Sequence, residues 1–215
     1  MLAPSGGIVA GGTVQIILAA VEPELATAWR IECRDLSMGT IHEGSILDLE
    51  VDAVVSPANS FGFMDGGIDL AYTMRFGPQL QGRLQDRIVR RHHGELPVGN
   101  AEILETFDAR IPYLIASPTM RVPMRLVASA NPYLATRAAL LLVLHGTFAD
   151  GDEDGRPVRD VVRRVAFPGM GTGIGAVPPA VCARQMRAAI DACLNRTPFP
   201  PSIHDASDDH EALLR

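Results

Sequence analysis

Lysine is missing from this chain: all 19 basic residues among its 215 are arginine. The absence excludes Schiff-base catalysis and the phosphate-binding lysine of a P-loop. Cysteine is scarce as well. Cys33, Cys182 and Cys193 form an odd set with no CxxC pair, which reads as reduced thiols rather than a disulfide framework. Cys182 and Cys193 lie about 16 Å apart if they share a helix, beyond disulfide reach. The six histidines show no HExxH or comparable spacing, so no metal or other cofactor is expected. There is no G-x-S-x-G elbow to expose a serine nucleophile. A surplus of basic charge is lacking too. At a net charge of −6 the surface suits neither non-specific nucleic-acid binding nor an anionic membrane. No apolar run approaches a membrane span, and residues 1–15 have no basic n-region and are broken by glycines, unlike a signal peptide. A cytoplasmic location is expected.

What is present is an ordinary globular composition, 47% hydrophobic and 20% charged, which predicts a single domain over residues 1–215. A small, glycine-rich lead-in (1–12) and a Pro/Asp/His-rich tail (195–215) flank it; the end of the tail either forms a short helix or frays. Val14–Val21 reads as a buried strand, and Pro23 opens a helix over Glu24–Cys33. Met38–His42 suggests a short strand, Gly44–Leu47 a turn into a short helical segment, and Ala53–Ser56 a buried strand. Helices follow at Ile68–Phe76 and Gln79–His93. The second is amphipathic, with Leu80, Leu84, Ile88 and Val89 inward and Arg83, Arg87, Arg90 and Arg91 on a wet face. Glu102–Phe107 and Tyr113–Ser117 read as strands, Tyr133–Leu144 as a helix, Val161–Phe167 as a strand and Pro178–Leu194 as a helix. Strands alternating with helices predict an α/β fold with a largely parallel sheet.

Two of these strands end in glycine-containing loops that enter helices. Phe167–Pro178, FPGMGTGIGAVP, contains Gly171–Ala176 in the GxGxxG/A pattern. The dinucleotide fingerprint also needs an acidic residue at the end of a following strand. Here Asp191 falls inside a helix, so that reading fails. What remains is a loop with glycines at 169, 171, 173 and 175, open to close approach by an anion at a helix N-terminus. The first loop adds side chains: Asn59 ends the strand, Gly66-Gly67 gives a crook, and Asp69 starts the helix. An amide and a carboxylate suit sugar hydroxyls, and Asp69 is placed either to activate a water or simply to cap the helix. Arg121 and Arg125 follow a strand end, as surface arginines or as partners of a phosphate or carboxylate.

Together the two loops resemble those of the macrodomains, which bind ADP-ribose. The likeness rests on Gly44-Ser45-Ile46, Val54-Val55-Ser56-Pro57-Ala58-Asn59, Gly66-Gly67-Ile68-Asp69 and Gly171-Thr172-Gly173-Ile174-Gly175, with ten residues from Asn59 to Asp69. Leu96–Ala101 is similar to the family's link between a helix and a central strand. The resemblance implies a three-layer α/β/α fold with a mixed, largely parallel sheet, and ADP-ribose or an ADP-ribosylated target as partner. It implies that Asn59 contacts the distal ribose and Asp69 that ribose or the catalytic water. Ser45, Ile46 and Ala58 would line the pocket, while amides of Gly67–Asp69 and Gly171–Gly175 hold the diphosphate under Ile174. The implied activity is hydrolysis of ADP-ribosyl or O-acyl-ADP-ribose linkages; a non-catalytic reader and a scaffold with a diverged pocket are the alternatives. Ser45 stands where the family usually has an Asp that reads the adenine, and Phe61–Asp65 places bulk where many members are small. Phe199 and the N-terminal strand are the candidates to cover the base.

Overall fold

The computed structural model describes residues 14–37, 39–195 and 197–215. The lead-in expected over 1–12 and the strand start expected at Met38 lie outside them. Six strands form one sheet: β1 (Gln15–Ala20), β2 (Gly39–Glu43), β3 (Ala53–Ser56), β4 (Glu102–Glu105), β5 (Tyr113–Ala116) and β6 (Arg164–Phe167), in the order β2-β1-β6-β3-β5-β4. All neighbours are parallel except β4, which pairs antiparallel with β5.

The central strands are apolar apart from Gln15, Ser56 and Arg164 at their ends, because both of their faces are covered. On one face α1 (Pro23–Glu32), α4 (Asn131–His145) and α6 (Pro179–Leu194) pack Leu25, Trp29, Ala139 and Met186 against Ile16, Leu18, Val55 and Phe167. On the other, α2 (Gly67–Phe76) and α3 (Gln79–His92) pack Tyr72, Phe76, Leu80 and Leu84 against Ile17, Val54 and Leu114. The alternation Ile16/Ile17/Leu18 between the two cores is the strand period of two. The result is the expected three-layer α/β/α fold.

Sequence signals set the helix ends. Pro23 sits at the first turn of α1, where its missing N–H costs nothing. His93 and Gly94 take positive φ at the end of α3, and the Gly94 N–H reaches back to Ile88 O at 3.2 Å.

Several expectations change. Leu96–Ala101 leads into β4, an edge strand and not a central one. Arg87, expected in solvent, is buried: it donates to Ile103 O on β4 and pairs with Asp150 and, at 3.7 Å, with Glu102. Arg83 donates to Glu105 O at 2.7 Å, so two arginines cover carbonyls of the sheet edge and blunt it against further pairing. Because α3 lies beside that edge, its polar face is used, and Val89, expected inward, turns to solvent. The run before β6 is helical: α5 (Val158–Val161) follows Pro157, and the strand starts only at Arg164. Asp52 Oδ2 accepts from the N–H groups of Arg163 and Arg164 there, each at 2.7 Å.

The tail forms α7 (Ile203–Leu214), capped by Ser202 Oγ accepting from Asp205 N. It docks through Gln185 of α6, a fully buried amide. Gln185 Nε2 donates to Leu213 O (2.9 Å) and Ser129 O (2.8 Å), while its Oε1 accepts from Tyr133 N (3.2 Å). No described helix is long and apolar enough to cross a membrane.

Candidate ligand-binding cleft

Neighbouring strands β3 and β6 send their connections to opposite faces, β3 to α2 and β6 to α6. A crevice must open where they part, outside the carboxyl ends of the strands. A cleft of about 570 Å³ lies there. Every predicted site residue lines it: Ser45, Ile46, Ala58, Asn59, Gly66, Gly67, Ile68, Asp69 and Gly171 to Gly175. At the β1–β2 end the walls include the apolar side chains of Ala19, Ala20, Val21, Ile46 and Leu47. At the β5 end they are Asn59, Thr119, Met120 and Pro123.

The second loop is drawn tight by its own backbone. Val177 N–H donates to Gly171 O (3.1 Å), Ala176 N–H to Gly173 O (2.9 Å), and Leu126 N–H to Gly175 O (2.8 Å). A Cβ on Gly175 would sit 2.4 Å from Gly171 O, and Gly171 has φ +82°, so both positions demand glycine. Thr172 to Gly175 use none of their amides in these closing bonds, and Ile174 stands exposed above them. In the first loop, α2 starts its hydrogen-bond ladder at Leu70 N–H to Gly66 O. The amides of Gly67, Ile68 and Asp69 therefore precede the ladder at the positive end of the helix.

The feared bulk of Phe61–Asp65 does not fill the cleft. Met64 is swallowed between α2 and α3, its N–H held by Gln81 (2.7 Å) and its O by Thr73 (2.9 Å). Phe63 stays at the rim. Asn59 organises this turn: its Oδ1 accepts from Phe61 N (3.1 Å) and Phe63 N (3.3 Å), and its Nδ2 donates to Phe63 O (2.8 Å). One amide hydrogen is left for a ligand. Ser45 Oγ accepts from Leu47 N at 3.2 Å, capping a 3-10 turn (Ile46–Asp48), and keeps its own proton to donate.

Asp69 is buried at the floor between the loops. Ser56 Oγ donates to Asp69 Oδ1 at 2.5 Å. Burial pushes the carboxyl up to about 6; the Ser56 hydrogen bond works against this and the charge of Asp65 adds to it. A carboxylate tuned near neutrality is suited to accept a proton from water.

Among the described lining residues there are four carboxylates, Glu22, Glu24, Asp65 and Asp69, and no basic side chain. An anion here is held by amides or not at all. Arg121 and Arg125 do not line the cleft; Arg121 instead pairs with Glu95 at 2.8 Å. Phe199, a candidate for the base, is 92% exposed and lies outside the lining, whereas the end of β1 forms one wall. The sequence points to the N-terminal strand but not to Glu22 just past it, nor to Thr119, Met120 and Pro123 past β5. The signal was there, since each follows a strand end, but neither carries glycines to mark it.

Fold and site together define a three-layer α/β protein with an open cleft between two glycine-bearing loops at a switch point of its sheet. The Macro domain family model matches residues 55–186, and the chain belongs to that family. An uncharacterized protein of Aquifex aeolicus is 33% identical over 144 residues, 67% of this chain and 75% of that one. An O-acetyl-ADP-ribose deacetylase of Escherichia fergusonii is 29% identical over 169 residues, 79% of this chain and 87% of the relative. Among solved structures, the Oceanobacillus iheyensis macrodomain with ADP has a TM-score of 0.54 at 22% identity, covering 79% of this chain and 86% of that one.

Proposed function

We propose that the cleft binds ADP-ribose and that the protein hydrolyses the bond joining the distal ribose to a carrier. The observation that carries this reading is the pair of amide-bearing loops on adjacent strands, facing each other with Asp69 at the floor between them. The diphosphate lies between Gly67–Asp69 and Thr172–Gly175. The base enters among the apolar side chains at the β1–β2 end, near the Ser45 hydroxyl. The distal ribose then falls at the β5 end, where the remaining amide hydrogen of Asn59 meets one of its hydroxyls. A relative of similar extent is an O-acetyl-ADP-ribose deacetylase, and a structural neighbour holds ADP, both in keeping with this ligand.

For a carboxylate ester at C1″, the C1″–O bond breaks as positive charge grows on C1″, and the leaving oxygen departs as carboxylate. A water oxygen bonds to C1″ and its proton passes to Asp69, then to solvent. Asp69 Oδ1 is taken by Ser56, which leaves Oδ2 for that water. A thermal-shift panel of ADP-ribose, its 1″-phosphate, NAD and GDP-ribose tests the ligand. Mono-ADP-ribosylated protein incubated with wild type and Asp69→Ala tests the chemistry. Equal release of ADP-ribose by both sinks Asp69 as the base.

A reader that binds without turnover is the second reading, favoured by one observation: the Asn59 side chain is already committed to its own turn. Calorimetry showing binding with intact ADP-ribosyl protein after hours would support it.

A further inference from the structure

The segment between β5 and α4 closes the end of the cleft where the distal ribose falls, through Thr119, Met120 and Pro123. It is pinned to both ligand loops. Ser60 N–H donates to Met120 O and Arg121 O, each at 3.1 Å, and Leu126 N–H to Gly175 O. The buried Leu126 side chain packs beneath Gly171 and Gly175, and Asn131 Nδ2 donates to Thr119 O at 2.7 Å. Yet this fixed segment turns large apolar side chains to solvent: Val122 is 42% exposed, Met124 50% and Val127 79%. Three apolar side chains within six residues, on a backbone that is held and beside a cleft mouth, mark a contact surface.

We propose that Val122, Met124, Arg125 and Val127 form the docking surface for the protein that carries the ADP-ribosyl group. This rests on the function proposed above, because a carrier joined at C1″ leaves the cleft at this end. The opposite end is rimmed by Glu22 and Glu24. The charges on the segment narrow the partner. Arg121 is neutralised by Glu95 and lies over the Phe61 ring at 5.1 Å. Arg125 has no ion pair or hydrogen bond among the described residues. A single free guanidinium among apolar side chains, on a chain of net charge −6, is too little positive charge to hold a nucleic-acid carrier, whose binding needs many cations. It fits a protein segment that offers apolar side chains beside a carboxylate.

The test compares free ADP-ribose with two peptides carrying one ADP-ribosyl glutamate, flanked in one by leucine and aspartate and in the other by serine. KM is measured where turnover occurs and Kd where it does not. The wild type is expected to prefer the leucine–aspartate peptide to the serine peptide by roughly tenfold. Val122→Ser/Met124→Ser and, separately, Arg125→Glu should remove most of that preference and leave free ADP-ribose within about twofold. All these side chains are exposed, so folding is little affected. Binding of free ADP-ribose with no preference between the peptides overturns this inference alone. A preference that survives both variants overturns it too, as does a stronger preference for an ADP-ribosylated oligonucleotide. No response to free ADP-ribose overturns the proposed function, and the docking surface with it.

Discussion

Ser56 Oγ lies 2.5 Å from Asp69 Oδ1, at the buried junction of β3 and α2, and is the donor that keeps this carboxylate from sitting bare in the core. The groups facing Asp69 otherwise disfavour its charge: Asp65 repels it, and Tyr72 spends its hydroxyl on Val55 O at 3.0 Å. No cation is among the causes of its shift. Ser56 is thus a positioning residue for Asp69. In Ser56→Ala the carboxyl should titrate higher by about one unit or more. The acid limb of the hydrolysis profile should move up with it, with activity recovered at alkaline pH, and Ser56→Thr should restore the original profile. A carboxyl-carbon NMR titration reads the same shift without turnover. An unmoved titration would show that Ser56 does not tune Asp69.

Asp69 should also cost stability at neutral pH. Its folded value of about 6 exceeds the ordinary aspartate value of 3.8. A raised carboxyl binds its proton more tightly when folded. Its contribution is therefore fully present below about pH 4 and lost as pH rises through about 6. At pH 7 the loss is roughly 2–3 kcal/mol. Asp69→Asn should be more stable than wild type by that order at pH 7 and barely so near pH 4, measured by urea unfolding. A gain independent of pH would contradict the burial account.

The glycines of the second loop should separate into two kinds. Gly175→Ala drives a methyl into Gly171 O and should destabilise by about 1–3 kcal/mol, with loss of the ADP-ribose thermal shift. At Gly173 an added Cβ meets nothing within 4 Å and the backbone is not in the left-handed region. Gly173→Ala should melt with the wild type. Equal effects at the two sites would mean that loop closure does not set the demand for glycine.

Much of this was legible in the chain. The strand-to-glycine-to-helix pattern around Asn59, Asp69 and Gly171–Gly175 located the central cleft, because strand ends in an α/β fold must deliver amides there. The ends of the cleft were less so. Val21-Glu22 and, past β5, Thr119, Met120 and Pro123 line it through topology alone, and strand order is set by contacts distant in sequence. The tetrad's Asn59 carried no sign that its amide would be spent on Phe61 and Phe63. Arg87 read as solvated because the period of α3 shows which side is apolar, not what lies beside its polar side.

Arg87 gives a control far from the ligand. It holds Ile103 O, Asp150 and the buried Glu102, which also pairs with Arg91 at 3.0 Å and His92 at 2.7 Å. Arg87→Met should cost about 3 kcal/mol in urea unfolding by stranding part of this network. ADP-ribose affinity should not change. A loss of affinity would show that the β4 edge communicates with the cleft.

Gln185 carries a consequence for how the cleft can be watched. One buried amide holds the last turn of α7, the Ser129 carbonyl beside the proposed docking surface, and the first turn of α4. The terminal helix and the mouth of the cleft therefore share a hinge pin. A spin label or fluorophore on the solvent side of α7 should register a carrier arriving at the mouth, and Gln185→Leu should silence that signal.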